Sequence, residues 1–310
     1  MAPHVRSSSG ADSQPRTTPV QLQIMSDLHL ETPRLLPMYA DFRIEANSPY
    51  LALLGDIGHA SDARLLHFLE LQLQQFAVVF YVLGNHEPYQ SGSDAEPRTH
   101  EDAVRTMEVF AAAVEERRRR EAEESGSPEA GQFVFLNRRR FDISDSVTVL
   151  GCTLFSNIAE AQMGTAALFV SDFSNIADWT VDKHNAAHRE DLGWLNSQVE
   201  AISLTEPHRQ IVVLTHYSPT AHPEANSPEH LEDSRNVQSA FVTDLAREPC
   251  WTNPVVKAWA FGHTHHNCDF IEQQTGKRVV ANQRGYGRGE AFDFDAAKVV
   301  AIDEPRTPTI

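Results

Sequence analysis

The stretch YLALLGDIGHASDARLLHFLELQLQQFAVVFYVLGNHE, residues 50–87, holds one full strand–loop–helix–strand unit. YLALL and AVVFYV are short runs without a polar alternation, the pattern of parallel strands buried on both faces. Between them Leu65, Leu66, Phe68, Leu69, Leu73 and Phe76 recur at the spacing of a helix with one buried stripe. The unit predicts α/β layering. Each strand runs directly into polar residues: Asp56 in LLGDIGH, then Asn85 and His86 in LGNHE.

The same arrangement recurs on both sides. QLQIMSDLHL, residues 21–30, reads as a strand ending on Asp27 and His29. RQIVVLTHYSP, residues 209–219, ends on His216, and VKAWAFGHTHH, residues 256–266, on His263 and His265. Any one of these groups alone is common without a metal. Together they deliver Asp, Asn and His from five strand ends to one place. Carboxylate, amide carbonyl and imidazole donors suit Mn, Fe, Zn or Co rather than Ca or Cu(I).

The order D-x-H, G-D, G-N-H-E, a lone His, then G-H-x-H resembles the calcineurin-like metallophosphoesterase superfamily, over about residues 22–270. The resemblance implies an α/β fold: a four-layer α/β/β/α sandwich of two mixed sheets. It implies two divalent metal ions. One would be held by Asp27, His29, Asp56 and His265, the other by Asp56, Asn85, His216 and His263, with Asp56 between them. It further implies a hydroxide shared by the ions as nucleophile, and His86 as general acid beside the leaving-group oxygen. The chain has neither a G-x-S-x-G elbow nor a P-loop, so nothing points to a protein nucleophile.

Departures from the pattern narrow the substrate. The Ser/Thr protein phosphatases carry G-D-x-V-D-R-G; here GDIGHAS places His59 and Ala60 where the second Asp and the Arg would stand. No Arg follows G-N-H-E closely. Both argue against that branch. The G-D-x-x-H block resembles the superfamily's DNA-repair nucleases, in which two histidines flank the scissile phosphate, and His59 would be the second; the alternative is a loop residue. The expected substrate is a small phosphodiester, with a phosphomonoester as the alternative. A non-catalytic scaffold and a nuclease are further readings, and the filled ligand positions with His86 speak against the scaffold. Tyr217, Asn157, Asp172, Arg284 and Tyr286 are candidates for the pocket rim.

The 310 residues predict a tail over 1–18 and one domain over 19–310. A net charge of -17 disfavours long nucleic acid and anionic membrane as partners, although two divalent ions would make the site locally positive. No apolar run approaches the length of a membrane span, and residues 1–18 lack a secretory h-region. Cys152, Cys250 and Cys268 are odd in number and widely spaced, which predicts no disulfide framework and a reducing, cytoplasmic setting.

Other segments give simpler expectations. A helix is predicted over 100–122, with the RRRR run at 117–120 as its solvated C-terminal turn. FVFLNRRRFDI (133–143) and VTVLGCTLFS (147–156) are expected as a strand pair. Residues 182–201 predict a helix with His184 and His188 on its surface. Loop 219–234 is long enough to cover a site. VQSAFVTDLA (237–246) is expected as a helix.

Overall fold

The computed structural model describes residues 19–89, 96–228, 235–287 and 291–303. The expected tail over 1–18, and residues 229–234 of the long loop, lie outside the described residues. Two mixed sheets are flanked by helices. The first contains β1 (Val20–Met25), β2 (Tyr50–Leu54), β3 (Val78–Val82), β4 (Gln132–Phe135) and β11 (Val299–Ile302), in the order β11-β1-β2-β3-β4. Only β11 runs antiparallel to its neighbour. The second contains β5 (Arg139–Asp142), β6 (Val147–Cys152), β7 (Gln210–Thr215), β8 (Val256–Phe261), β9 (Cys268–Ile271) and β10 (Arg278–Ala281), in the order β5-β6-β7-β8-β10-β9. Its two edge strands are antiparallel and its interior is parallel.

The alternation of side chains across each strand assigns the core to three apolar layers. Leu22, Ile24, Phe80 and Val82 meet Val149, Val212, Leu214 and Ala260 between the sheets. On the outer face of the first sheet, Leu53, Val79 and Tyr81 pack under α1 (Ala63–Leu73) and α2 (His100–Ser125) through Phe68, Leu69, Met107 and Val114. The second sheet's outer face takes α5 (Val181–Thr205) and α6 (Pro249–Thr252) through Leu195, Val199, Ile202 and Trp251. Two short helices, α3 (Met163–Phe169) and α4 (Asp172–Asn175), lie between β6 and α5.

Four expectations need correction. FVFLNRRRFDI is two strands rather than one: β4 joins the first sheet and β5 the second, and the chain crosses at Arg138, whose φ is 49°. The 237–246 segment forms a single 3-10 turn, Gln238–Ala240. Its polar groups are engaged from outside: Gln162 Oε1 accepts from Ser239 N and Oγ at 2.9 and 2.6 Å, and Asn157 N donates to Thr243 Oγ1 at 2.7 Å. The four arginines lie inside α2, which continues to a left-handed cap at Gly126 (φ 87°). There Arg117 forms an ion pair with Glu70 of α1 at 2.8 Å, and Arg119 one with Glu116 at 2.9 Å. Finally, His184 and His188 are buried, not exposed. The Ser156 hydroxyl lies 2.9 Å from His184 Nε2, and Leu154 O lies 3.0 Å from His188 Nδ1, so both rings hold the chain that follows β6.

Candidate active site

The C-terminal ends of β1, β2 and β3 in one sheet and of β7 and β8 in the other open onto the same edge, the usual place for a site in a parallel sheet. The loops there are stitched to each other by backbone bonds. Asp27 N donates to Gly55 O and His29 N to Asp56 O, both at 2.9 Å. Across the sheets His263 N donates to the Asp27 carboxylate at 3.1 Å, and within the second sheet Gly262 N donates to His216 O at 2.8 Å. A Cβ on Gly84 would collide with the Asp56 carboxylate, so glycine is what lets the third loop approach the second.

Three overlapping groups of donors result among the described residues; one is His29, Glu31 and His86, and the other two hold the predicted ligands. Asp27, His29 and His265 have ligand atoms within 4.8 Å of one another, and so do Asp56, His216 and His263. Asn85 joins the second group: its Oδ1 lies 3.0 Å from both His216 Nε2 and His263 Nδ1. In the first group the two Nε2 atoms of His29 and His265 approach to 3.2 Å. Asp56 stands between the groups, with Oδ2 3.8 Å from His29 Nε2 and Oδ1 3.5 Å from His216 Nε2.

This donor set fits a divalent metal. Separations near 3 Å between lone-pair donors are the edges of a polyhedron around an ion that binds N and O at about 2.0–2.2 Å. Asp27 and Asp56 are buried, and among the described residues their ion-pair partners are imidazoles rather than Lys or Arg. Five of the seven candidate ligands also have left-handed backbone: Asp27 (φ 50°), His29 (45°), Asp56 (54°), His263 (73°) and His265 (48°). Each such residue costs about 1–2 kcal/mol. Strain of this kind persists where the surroundings impose it, and it clusters at functional sites.

The electrostatics follow from the buried carboxylates. Burial by itself would raise the Asp56 carboxyl, but the neighbouring His216 and His86 outweigh it and hold the group well below the usual range. Burial would likewise lower His216, yet Asp56 pushes it up to about 10. His86 is pushed up to about 9 because Asp56 and Glu31 outweigh its desolvation. Desolvation dominates at His59 and lowers it.

His86 lies beside the donor groups. Its Nδ1 is 3.6 Å from Glu31 Oε1, its Nε2 is 3.2 Å from the Tyr286 hydroxyl, and its ring stacks on Tyr89 at 4.3 Å. A cavity of about 700 Å³ opens here, lined by His86, His59, Tyr89, Tyr286, Arg34 and Arg64 among others. Of the other rim candidates, Tyr217 is buried and packs on His263 at 3.9 Å. Asp172 is buried too, and bonds to Asn85. Asn157 is exposed. Arg284 donates to Leu28 O at 2.7 Å and braces the first loop. Cys268 is half-buried on edge strand β9.

Two residues escaped the sequence reading. Glu31 Oε1 lies 3.0 Å from His29 Nδ1, the carboxylate–imidazole arrangement that orients a metal-binding His. Glu87 accepts from the backbone N–H of Asp56 (3.2 Å), Ile57 (3.0 Å) and Gly84 (2.8 Å) and from the Tyr81 hydroxyl (2.9 Å), which ties the second and third loops together. Burial pushes its carboxyl up to about 7, with the charge of Asp56 adding to the effect. The signal for Glu31 was the alternation D-x-H-x-E; for Glu87 it was a carboxylate closing G-N-H-E.

Comparison with known proteins gives the family and the fold. An uncharacterised protein of Acanthamoeba polyphaga mimivirus is 25% identical over 303 residues, covering 91% of this chain and 97% of its own. The phosphopantetheinyl hydrolase PptH of Mycobacterium tuberculosis has a similar fold, with a TM-score of 0.61 at 15% identity, covering 91% of this chain and 95% of its own. Residues 22–267 match the calcineurin-like phosphoesterase family, so the chain belongs to that family and is a metallophosphoesterase, a phosphoric ester hydrolase.

Proposed function

We propose that the protein hydrolyses small phosphodiesters at a centre of two divalent ions. The observation that carries this reading is the placement of Asp56, one carboxylate oxygen toward each donor group. Asp27, His29, Asp56 and His265 would hold one ion, and Asp56, Asn85, His216 and His263 the other, with manganese the ion to try first among Mn, Fe, Zn and Co. Bound there, the ions would supply an activated water and neutralise charge on the phosphate. The chain's own contribution is orientation and proton transfer. Glu31 faces His86 Nδ1 at 3.6 Å as its ion-pair partner and favours the protonated ring, and His86 would hold a proton at Nε2 for the leaving-group oxygen. His59 lines the same cavity and would flank the scissile phosphate from the other side.

Charge balance supports a diester over a monoester. A monoester dianion calls for a cation beyond the ions, whereas a diester carries one negative charge. In the cavity Arg64 is already held by Asp62 at 2.6 Å, and Arg34 is on the exposed rim. The net charge of -17 supports a small substrate rather than a long nucleic acid, and three unbridged thiols fit a cytoplasmic setting. No described helix is long and apolar enough to cross a membrane.

The test compares bis-p-nitrophenyl phosphate with p-nitrophenyl phosphate on metal-stripped protein reloaded with manganese. Faster diester turnover is expected. Faster monoester turnover would make the protein a phosphomonoesterase, and binding of manganese without turnover of either would point to a binding role.

A further inference from the structure

We infer that Asp172 is a positioning residue of the metal centre, which decides which end of the Asn85 amide faces the ions. The two ends of an asparagine amide are nearly equal in size, but only the carbonyl oxygen can bind a cation. Among the described residues, no hydrogen bond from the Asn85 loop itself distinguishes them. Asp172 does: its Oδ1 accepts from Asn85 Nδ2 at 2.8 Å, and a carboxylate that only accepts rejects the carbonyl end. The carbonyl oxygen is therefore turned to His216 and His263, at 3.0 Å from a ring nitrogen of each.

The carboxylate is itself held rigidly. Asp172 is 2% exposed, and two phenols point at it: Tyr89 donates to Oδ1 at 2.5 Å and Tyr217 to Oδ2 at 3.1 Å. Both rings reach the site, Tyr89 stacking on His86 and Tyr217 packing on His263. One buried group thus sets the amide of a candidate ligand and anchors the rings behind the second donor group and the proton donor. Asp172 lies on the single turn α4, between β6 and α5, outside the five loops that carry the motifs. Its one bond to a candidate ligand is the one to Asn85, which separates a positioning role from that of a ligand.

The inference rests on the proposed two-ion reading, and manganese binding tests the two separately. Metal-stripped full-length chain is titrated with manganese by calorimetry, and bound metal is counted after dialysis. Wild type is expected to bind two ions per chain. In Asp172→Asn the new amide can donate to the Asn85 carbonyl and turn it away. One of the two sites should then weaken about 10–100-fold, the usual effect of losing such an outer partner, while the other keeps its affinity. Asn85→Asp combined with Asp172→Asn exchanges acceptor and donor across the same bond and should recover most of that loss. Should Asp172→Asn not fold, Asp172→Ala deletes the acceptor in a smaller side chain and carries the same expectation. Two manganese sites of unchanged affinity in the variant, or no recovery in the exchange, would overturn the role of Asp172 alone. Fewer than two ions on wild type would overturn the two-ion reading, and the inference with it.

Discussion

Two groups of imidazoles in this molecule are shifted in opposite directions, one toward the cation and one toward the neutral ring. His216 and His86 sit among Asp56, Asp27 and Glu31 and are pushed up to about 10 and about 9. His184 is as deeply buried as His216 and His100 is half-buried, but both sit among aromatic rings: His184 lies 5.3 Å from Phe155 and His100 5.3 Å from Trp179. Desolvation pushes them down to about 3 and about 4. Burial therefore does not tell what a histidine does in a fold; the anions beside it do. In the first group the protein has assembled buried negative charge that demands cations. In the second it has used the ring as a rigid hydrogen-bonding filler.

Removing the central anion should erase the first group's character. Asp56→Asn takes away the carboxylate that faces both donor groups. Hydrolysis of bis-p-nitrophenyl phosphate is expected to fall about 10³-fold or more in kcat/KM, since several kcal/mol of charge stabilisation depend on the ions it places. Bound manganese should drop below two per chain in the same preparation. Wild-type activity in this variant would mean that the carboxylate is not what holds the ions.

A smaller change separates proton transfer from metal binding within that group. His86→Gln should keep the manganese count and lose about 10²-fold in kcat on a diester with an alkyl leaving group, which needs a proton as it departs. Bis-p-nitrophenyl phosphate should be affected far less, because p-nitrophenolate leaves readily without one. Equal losses on both substrates would assign His86 to binding instead.

The contrast also marks what could be read from the chain. The meeting of the donor residues was legible because each closes an apolar strand run, so strand ends and candidate ligands coincide at Asp27, Asp56, Asn85, His216 and His263. The sheet layering was legible for the same reason. Glu87 was not, because its partners are backbone amides of another loop, and backbone direction leaves no trace in residue type. His184 and His188 were misplaced because the i, i+4 spacing on a charged helix looks solvent-facing. Their burial depends on Ser156 and Leu154, about 30 residues away, and on the way the chain folds back after β6. The 237–246 segment failed likewise: its local pattern is helical, but residues 157–162 claim its polar groups.

The second group has a signature in acid. In the unfolded chain His184 and His100 take up a proton near 6.5, in the folded chain near 3 and near 4. Between those values the unfolded chain binds more protons, so stability rises with pH and is lost as pH falls below about 6.5. From pH 7 to pH 5 each ring should cost on the order of 2 kcal/mol. His184→Gln keeps a polar group for Ser156 but cannot take the charge. Urea midpoints at pH 7 and pH 5 should show the variant losing about 2 kcal/mol less than wild type across that interval, whatever its stability at pH 7. The comparison is best made on metal-stripped protein, since protons displace ions from the first group over the same range. Equal losses in variant and wild type would mean that His184 takes up its proton at the same pH folded and unfolded. Its aromatic surroundings would then not oppose the charge, and the difference drawn between the two groups would reduce to the presence of Asp56 alone.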